Sequence, residues 1–356
     1  MEITGINGSN KEIFNNFLIK NNGCFLQSFE WGEFKKSFGY WDISRLTVSE
    51  NGEINTAFTL FIRKIPYTGK TFFYVPRGPV FKEQNINLYK DFFDSVKKLK
   101  EKYKSIFLKI EPEIEGELPL DKKEFLVNKK HIQPRCTIVI DLKKDTDTLF
   151  AGFENKTRYN IRIAQKKAVE ITKAENKKDL AQFFAILDET SRRKKFLIHS
   201  KNYYEKLWDV FHPANMVHLF LASYQKTPVA GLFIMSFGGK IWYLYGASRK
   251  LHREVMPNQL LHWEVIKWAK SNGFKEYDLW GIPYVKDDNS APPGNHPLYG
   301  VWRFKKGFGG RIARYPGTFD IPYSSLYYNL FEKGLKTYFK LRNISIRGET
   351  KDALQD

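Results

Sequence analysis

The segment Arg303 to Arg314, RFKKGFGGRIAR, holds five basic residues and no acid, with Gly307, Gly309 and Gly310 among them. Lysine is a compact point charge and glycine permits close backbone approach, so this segment is suited to meeting an anionic ligand. An ordinary basic turn has the same composition. Arg158, Arg162 and Lys166 recur at i, i+4 and i+8. That spacing puts three like charges on one helical face, which suits a phosphate-bearing partner as well as it suits a solvated surface. Arg192, Arg193, Lys194 and Lys195 gather near a helix end, where the dipole alone favours cations. Trp31, Phe34 and Phe38 share helical spacing with Lys35 and Lys36 beside them, and Arg77 occupies a PRGP turn that could present it to an anion. Glu111 in KIEPE and Asp278 in YDLWG end strand-like runs, where each could accept a proton or cap the backbone.

Other chemistries lack their local devices. No GxxxxGK[ST] loop, GxGxxG turn, HExxH helix or GxSxG elbow occurs. The histidines, including His131, His212, His218, His252, His262 and His296, show no metal-ligand spacing, so no metal is expected. Cys24 and Cys136 are too few and too far apart for a zinc site or a disulfide framework, and reduced thiols are expected. The N-terminal residues lack a signal-peptide pattern and no run reaches 18 apolar residues, so the expected location is cytoplasmic, with at most peripheral contact at the inner membrane face.

These residues need a scaffold, and 356 residues with 42% hydrophobic content allow two packed domains. The net charge of +19 favours anionic partners without naming one. Two copies of one order of elements emerge from the periodicity. In the first, strands at Ser44 to Val48, Asn55 to Arg63 and Thr71 to Val75 precede a helix over Ile86 to Tyr103 and a strand at Ile106 to Ile110. In the second, Val217 to Tyr224, Val229 to Phe237 and Lys240 to Tyr245 precede a helix over Pro257 to Lys270 and a strand at Glu276 to Trp280. Between them lie a strand at Thr137 to Leu142 and helices over Thr157 to Lys167 and Lys177 to Arg193, too short for a protruding coiled-coil arm. A final aromatic helix is expected over Tyr323 to Leu341, with a frayed tail from Arg347 to Asp356. The fold class is α+β, with mostly antiparallel twisted sheets packed by helices.

A three-strand, helix, strand unit resembles the GNAT acyltransferase fold. Coenzyme A binding there needs a glycine-spaced loop at the helix start, and Val255 to Gln259 supplies no glycine. Four segments together resemble the Fem family of transferases that build peptidoglycan branches from aminoacyl-tRNA: FLQSFEWGEFKKSFG, FYVPRGPV, QPRCTIVIDL with KTRYNIRIAQKKAVEI, and WYLYGAS with YDLWG and YGVWRFKKGFGG. The resemblance implies a tandem of two GNAT-like domains, one over residues 1–145 completed by a C-terminal helix over 322–356, the other over 146–321.

By the same resemblance, Lys305 lies at the transfer centre, Phe304 shapes its pocket and Tyr245 lines the same site. Glu111 is then the candidate base, although relatives commonly carry aspartate there. Trp31 and Lys35, ranked above Lys36 and Arg77, would hold the UDP-linked or lipid-linked muropeptide precursor, with His199 near where some relatives carry an arginine. Arg158, Arg162, Lys166, Arg192 and Arg193 would form the tRNA footprint. The implied reaction joins an amino acid from aminoacyl-tRNA, a co-substrate, to an amine of the precursor's stem peptide. It needs no further cofactor because the ester is already activated, and a monomer is expected. The competing readings are transfer to another amine or lipid acceptor, and a non-catalytic protein that binds tRNA or an anionic membrane.

Overall fold

The computed structural model describes residues 1–119 and 125–334; the rest of the expected C-terminal helix and the frayed tail lie outside them. The chain divides into two compact units, Met1–Gln133 with the described residues from Tyr315 onward, and Pro134–Arg314.

In the first unit the sheet runs Glu2–Gly5, Trp41–Glu50, Glu53–Ile65, Lys70–Pro76, Ser105–Glu111, Thr318–Pro322, Leu126–Asn128, with Val80–Phe81 paired on the third of these. Neighbours are antiparallel except Lys70–Pro76 and Ser105–Glu111, the parallel pair that the crossover helix makes possible. Alternation along the strands sends Leu46, Phe58, Leu60, Phe73 and Leu108 to one face, where Tyr89, Phe92 and Val96 of helix Ile86–Lys97 cover them. The expected single helix over Ile86 to Tyr103 is two, Ile86–Lys97 and Lys100–Tyr103; the break lets Leu99 and Tyr103 both reach this core. On the other face Trp41, Phe61 and Tyr74 pack together, and Phe107 meets Tyr328 from the helical segment 325–334.

The second sheet runs Arg311–Arg314, Cys136–Asp141, Glu276–Ile282, Lys240–Ser248, Thr227–Phe237, Val217–Tyr224, Glu170–Lys173. Again one pair is parallel, Lys240–Ser248 with Glu276–Ile282. Helices Pro257–Ser271 and Asn155–Lys166 cover one face through Leu261, Val265, Ile266, Ile161 and Ala164. Helices Lys177–Lys194 and Lys201–Phe211 meet the other through Phe183 and Tyr204 against Phe233. Among the described residues no helix is long and apolar enough to cross a membrane.

Two boundaries differ from the sequence expectation, and strand pairing is the reason. Cys136–Asp141, placed by sequence in the first domain, pairs with Glu276–Ile282 and Arg311–Arg314 in the second sheet. Thr318–Pro322, placed in the second, pairs with Ser105–Glu111. A buried network secures that return: Lys109 Nζ lies 2.6 Å from Asp320, which also accepts from Asn128 and from Tyr328 Oη.

Glu111 belongs to the same seal, which corrects its reading as a general base. It is 3% exposed and accepts from Tyr74 Oη (2.5 Å), Thr318 Oγ1 (2.5 Å), the Ile132 amide (2.7 Å) and the Gln133 amide (3.2 Å). A carboxylate with its lone pairs committed to that many donors ties strands together rather than waiting for an amine proton. Beside it, burial and the Glu111 charge push the Tyr74 hydroxyl well above its ordinary pKa. Glu111→Ala should cost about 3 kcal/mol by orphaning these donors. Equilibrium urea unfolding checks this, and a wild-type midpoint would show that the network does not hold the strand end.

Candidate functional site

The parallel pair of the second unit is joined only at its start, Lys240↔Glu276, Ile241↔Tyr277 and Trp242↔Asp278. Beyond Trp242 and Asp278 no parallel rung follows, so the carboxyl ends of two neighbouring strands part, the position where sheets of this kind open a crevice for ligands. In the first unit the corresponding pair continues to Pro76↔Glu111.

Each strand leaves the pairing by its own irregularity. On Glu276–Ile282, Asp278 opposes Val139 and Gly281 opposes Thr137, so one residue too many is accommodated at Leu279 and Trp280. Trp280 takes φ +61, an uncommon conformation for a bulky residue, and the Asp278 carboxylate stabilises the turn by accepting from the Trp280 amide at 2.6 Å and from Thr137 Oγ1. On Lys240–Ser248, Tyr243 pairs with Ile234 but Tyr245 pairs with Phe233. That register shift reverses the rule that i and i+2 share a face.

Lys305 lies at the parting. It sits on the short helix Tyr299–Lys306 and is 6% exposed; its Nζ donates to the Gly281 carbonyl at 2.8 Å and lies 5.3 Å from the centre of the Tyr243 ring. Burial pulls the amine down to about 7, and the Asp278 charge opposes that shift. One carbonyl leaves two further N–H directions on the ammonium. Phe304 packs beside it with its ring 5.4 Å from His262. His262 is buried, bonded through Nδ1 to Tyr277 Oη at 2.9 Å, and desolvation together with Lys305 lowers its pKa to about 3. A neutral imidazole here leaves Lys305 as the titrating cation of the recess.

The glycines of the segment serve the protein itself, a correction to their reading as a ligand approach. A Cβ at Gly310 would stand 2.6 Å from the Val139 carbonyl oxygen, one at Gly309 2.9 Å from that of Gly152, and one at Gly307 would strike Thr157 Oγ1. Gly309 and Gly310 also hold φ +68 and +85. They turn the helix end into strand Arg311–Arg314 while Phe308 enters the core, and so fix Lys305 in place.

Tyr245 is not beside Lys305. It faces the other side of the sheet, 5.1 Å from the Tyr204 ring and 6.1 Å from those of Phe233 and His199. With His199, Leu197, Ile198 and Gly246 it lines a separate pocket of about 240 Å³. His199 is stacked on Tyr203 at 3.8 Å. The aromatic that does accompany Lys305 is Tyr243, to which the family resemblance did not point. Gly246 was the available signal, since any Cβ there would collide with the Tyr243 hydroxyl.

The remaining cations sort by burial. Of the five residues assigned to the precursor, His199 lines the Tyr245 pocket, Trp31 and Lys35 are 7% exposed, and Arg77 is 3% exposed with its guanidinium 4.1 Å over the Tyr315 ring; Lys36 is exposed. Lys36 is therefore the cation of this set open to an external anion, while Arg77, ranked beside it, is more buried than Lys35. Trp31 stacks edge-on to Phe25 because the helix Phe29–Lys36 turns its aromatic stripe, and Lys35 with it, toward the sheet. Arg158 donates to the carbonyls of Ala151 and Phe153 and to Asn155, closing the end of helix Thr146–Ala151. Arg193 donates to the Ser248 carbonyl at 2.6 Å, and Arg192 pairs with Asp188 at 2.8 Å. Arg162 and Lys166 are exposed on their helix. Among the described residues no group of three metal-ligating side chains occurs.

Asp278→Asn removes the charge that supports the Lys305 ammonium, so the amine should titrate below about 7. The pH dependence of Lys305 acylation, followed by mass spectrometry, checks the shift; an unchanged titration would separate Asp278 from Lys305.

The FemAB family profile matches residues 10–130, 123–226 and 216–334. A lipid II:glycine glycyltransferase of Staphylococcus epidermidis is 27% identical, with 88% of this chain and 91% of that protein covered. The crystal structure of FemX superposes with a TM-score of 0.82 at 24% identity, covering 93% of this chain and all of that one. A tandem GNAT protein from the clavulanic acid biosynthesis pathway gives 0.52 at 10% identity, covering 90% and 98%. These structures share the fold of two GNAT-like units in tandem, and with family segments matched along most of its length the chain belongs to the FemAB family.

Proposed function

We propose that this protein transfers an amino acid from aminoacyl-tRNA to an amine of the stem peptide on a lipid-linked peptidoglycan precursor, extending an interpeptide bridge. Family membership and the likeness to a lipid II:glycine glycyltransferase support the class of reaction and the acceptor. The observation that carries the chemistry is the Lys305 ammonium, buried where the parallel strands part and bonded to a single carbonyl.

In the transfer the amine attacks the ester carbonyl, a C–N bond forms, and the C–O bond to the ribose breaks. The amine proton passes to the departing ribose oxygen, a route that needs no protein carboxylate and agrees with Glu111 being sealed in the other unit. Negative charge gathers on the carbonyl oxygen in the tetrahedral intermediate. An ammonium already held in a desolvated recess can stabilise it by about 3 kcal/mol, because no solvent has to reorganise. Phe304 and Tyr243 keep water from the amine. The exposed Arg162 and Lys166 supply the electrostatic footprint for the tRNA backbone, and Lys36 is the accessible cation for a precursor phosphate.

The deciding experiment mixes the protein with labelled aminoacyl-tRNAs and, in parallel, lipid-linked and UDP-linked muropeptides. Label should enter the lipid-linked acceptor; tRNA binding without transfer to either muropeptide would overturn the reading. Lys305→Met should lower the transfer rate by about a hundredfold or more while leaving precursor affinity within a few fold. For the free enzyme, a cationic Lys305 is lost as pH rises through about 7, so kcat/KM should fall above that pH. Lys305→Arg, charged throughout, should abolish this limb whatever its residual rate. A limb that survives in the arginine variant would assign it to another group.

A further inference from the structure

Helix Lys177–Lys194 ends in RRKKFLIHSK, where Arg192 to Lys201 contains five cations and no acid. Lys195 takes the left-handed conformation at φ +54, and the chain is held there by the Phe196 amide on the Ser191 carbonyl (3.3 Å) and by Ser191 Oγ on the Phe196 carbonyl (2.6 Å). The loop is thus fixed with Phe196 and Leu197 at the mouth of the Tyr245 pocket, where they remain 42% and 47% exposed.

The acids of the helix end are already matched. Asp188 pairs with Arg192, Glu189 lies between Arg193 and Arg249, and Glu205 faces Lys201 at 3.3 Å. Lys194 and Lys195 remain exposed with no acid of their own segment beside them in sequence. A second element joins the patch. Ser248 is bonded to Thr190 and Arg193, and the Lys250 amide to Glu189 at 3.0 Å, which ties the following turn to the same helix. That turn carries exposed Lys250 and Leu251, the latter 54% exposed.

We propose that Phe196, Leu197 and Leu251, with the exposed Lys194, Lys195 and Lys250 of the same two tied segments, form a docking surface for an anionic phospholipid bilayer. Cations alone would serve an RNA backbone equally well, since phosphate contacts are electrostatic. Exposed leucines have no counterpart on a phosphodiester chain, whereas apolar tips within a cationic rim match the acyl boundary beneath anionic headgroups. The surface brings the enzyme to the leaflet in which a lipid-linked acceptor resides. It extends the proposed function but is measured without acceptor or donor, so either can fail alone.

The test is flotation of the full chain with vesicles of phosphatidylcholine, with and without phosphatidylglycerol. The wild type should float with the anionic vesicles only. Phe196→Ser with Leu197→Ser, and separately Lys194→Glu with Lys195→Glu, should each weaken that binding by about tenfold or more. Filter binding of tRNA is read on the same proteins. No flotation of the wild type, undiminished flotation of the serine variant, or loss of tRNA binding with flotation intact would each overturn the assignment, the last in favour of an RNA surface.

Discussion

The second unit's site depends on one constraint, the loss of hydrogen bonding between two parallel strands after Trp242 and Asp278. A sheet does not leave backbone groups unpaired without other partners, so the opening has to be supported on both sides. Asp278 supports one side by holding Trp280 in its left-handed turn, and Lys305 takes up the Gly281 carbonyl that the bulge turns outward. On the other strand the shift between Tyr243 and Tyr245 sends one ring to the lysine and the other to the opposite face. The first unit repeats the topology with the opposite result: its parallel strands stay joined to Glu111, and that carboxylate is consumed in closing the end.

Burying an ammonium in such a recess is costly, and its geometry shows what compensates. A carbonyl, an aromatic face and a nearby carboxylate are enough to keep Lys305 in place but do not restore the hydration of a full charge. The amine is therefore responsive to any anion that enters, because the new charge supplies what desolvation removed. An arginine would keep its charge but spread it over a plane too large for the same single carbonyl. The neighbouring His262, driven neutral by the same desolvation, adds no competing charge.

Much of the fold was legible from periodicity because strand alternation and helical spacing are local consequences of burial. The two β-β-β-α-β copies and the helix that starts at Pro257 are read from neighbours in sequence. The domain limits were not, since Cys136–Asp141 and Thr318–Pro322 are strands whose own sequences say nothing about which sheet they join. Pairing partners far away in the chain decided that.

The sequence by itself determined that this is a basic, two-unit α+β protein of a transferase family with a lysine at the head of its candidate chemistry. Composition, repeat order and motif spacing carry that information without reference to any contact. Only the tertiary structure decided which charges are available. Arg158, Arg193, Arg77 and Lys35 look in sequence like Arg162 and Lys36, yet the former are turned into carbonyls and rings. The physical reason is that a side chain's charge is fixed by its type, whereas its desolvation and its partners are fixed by elements that arrive from elsewhere in the chain.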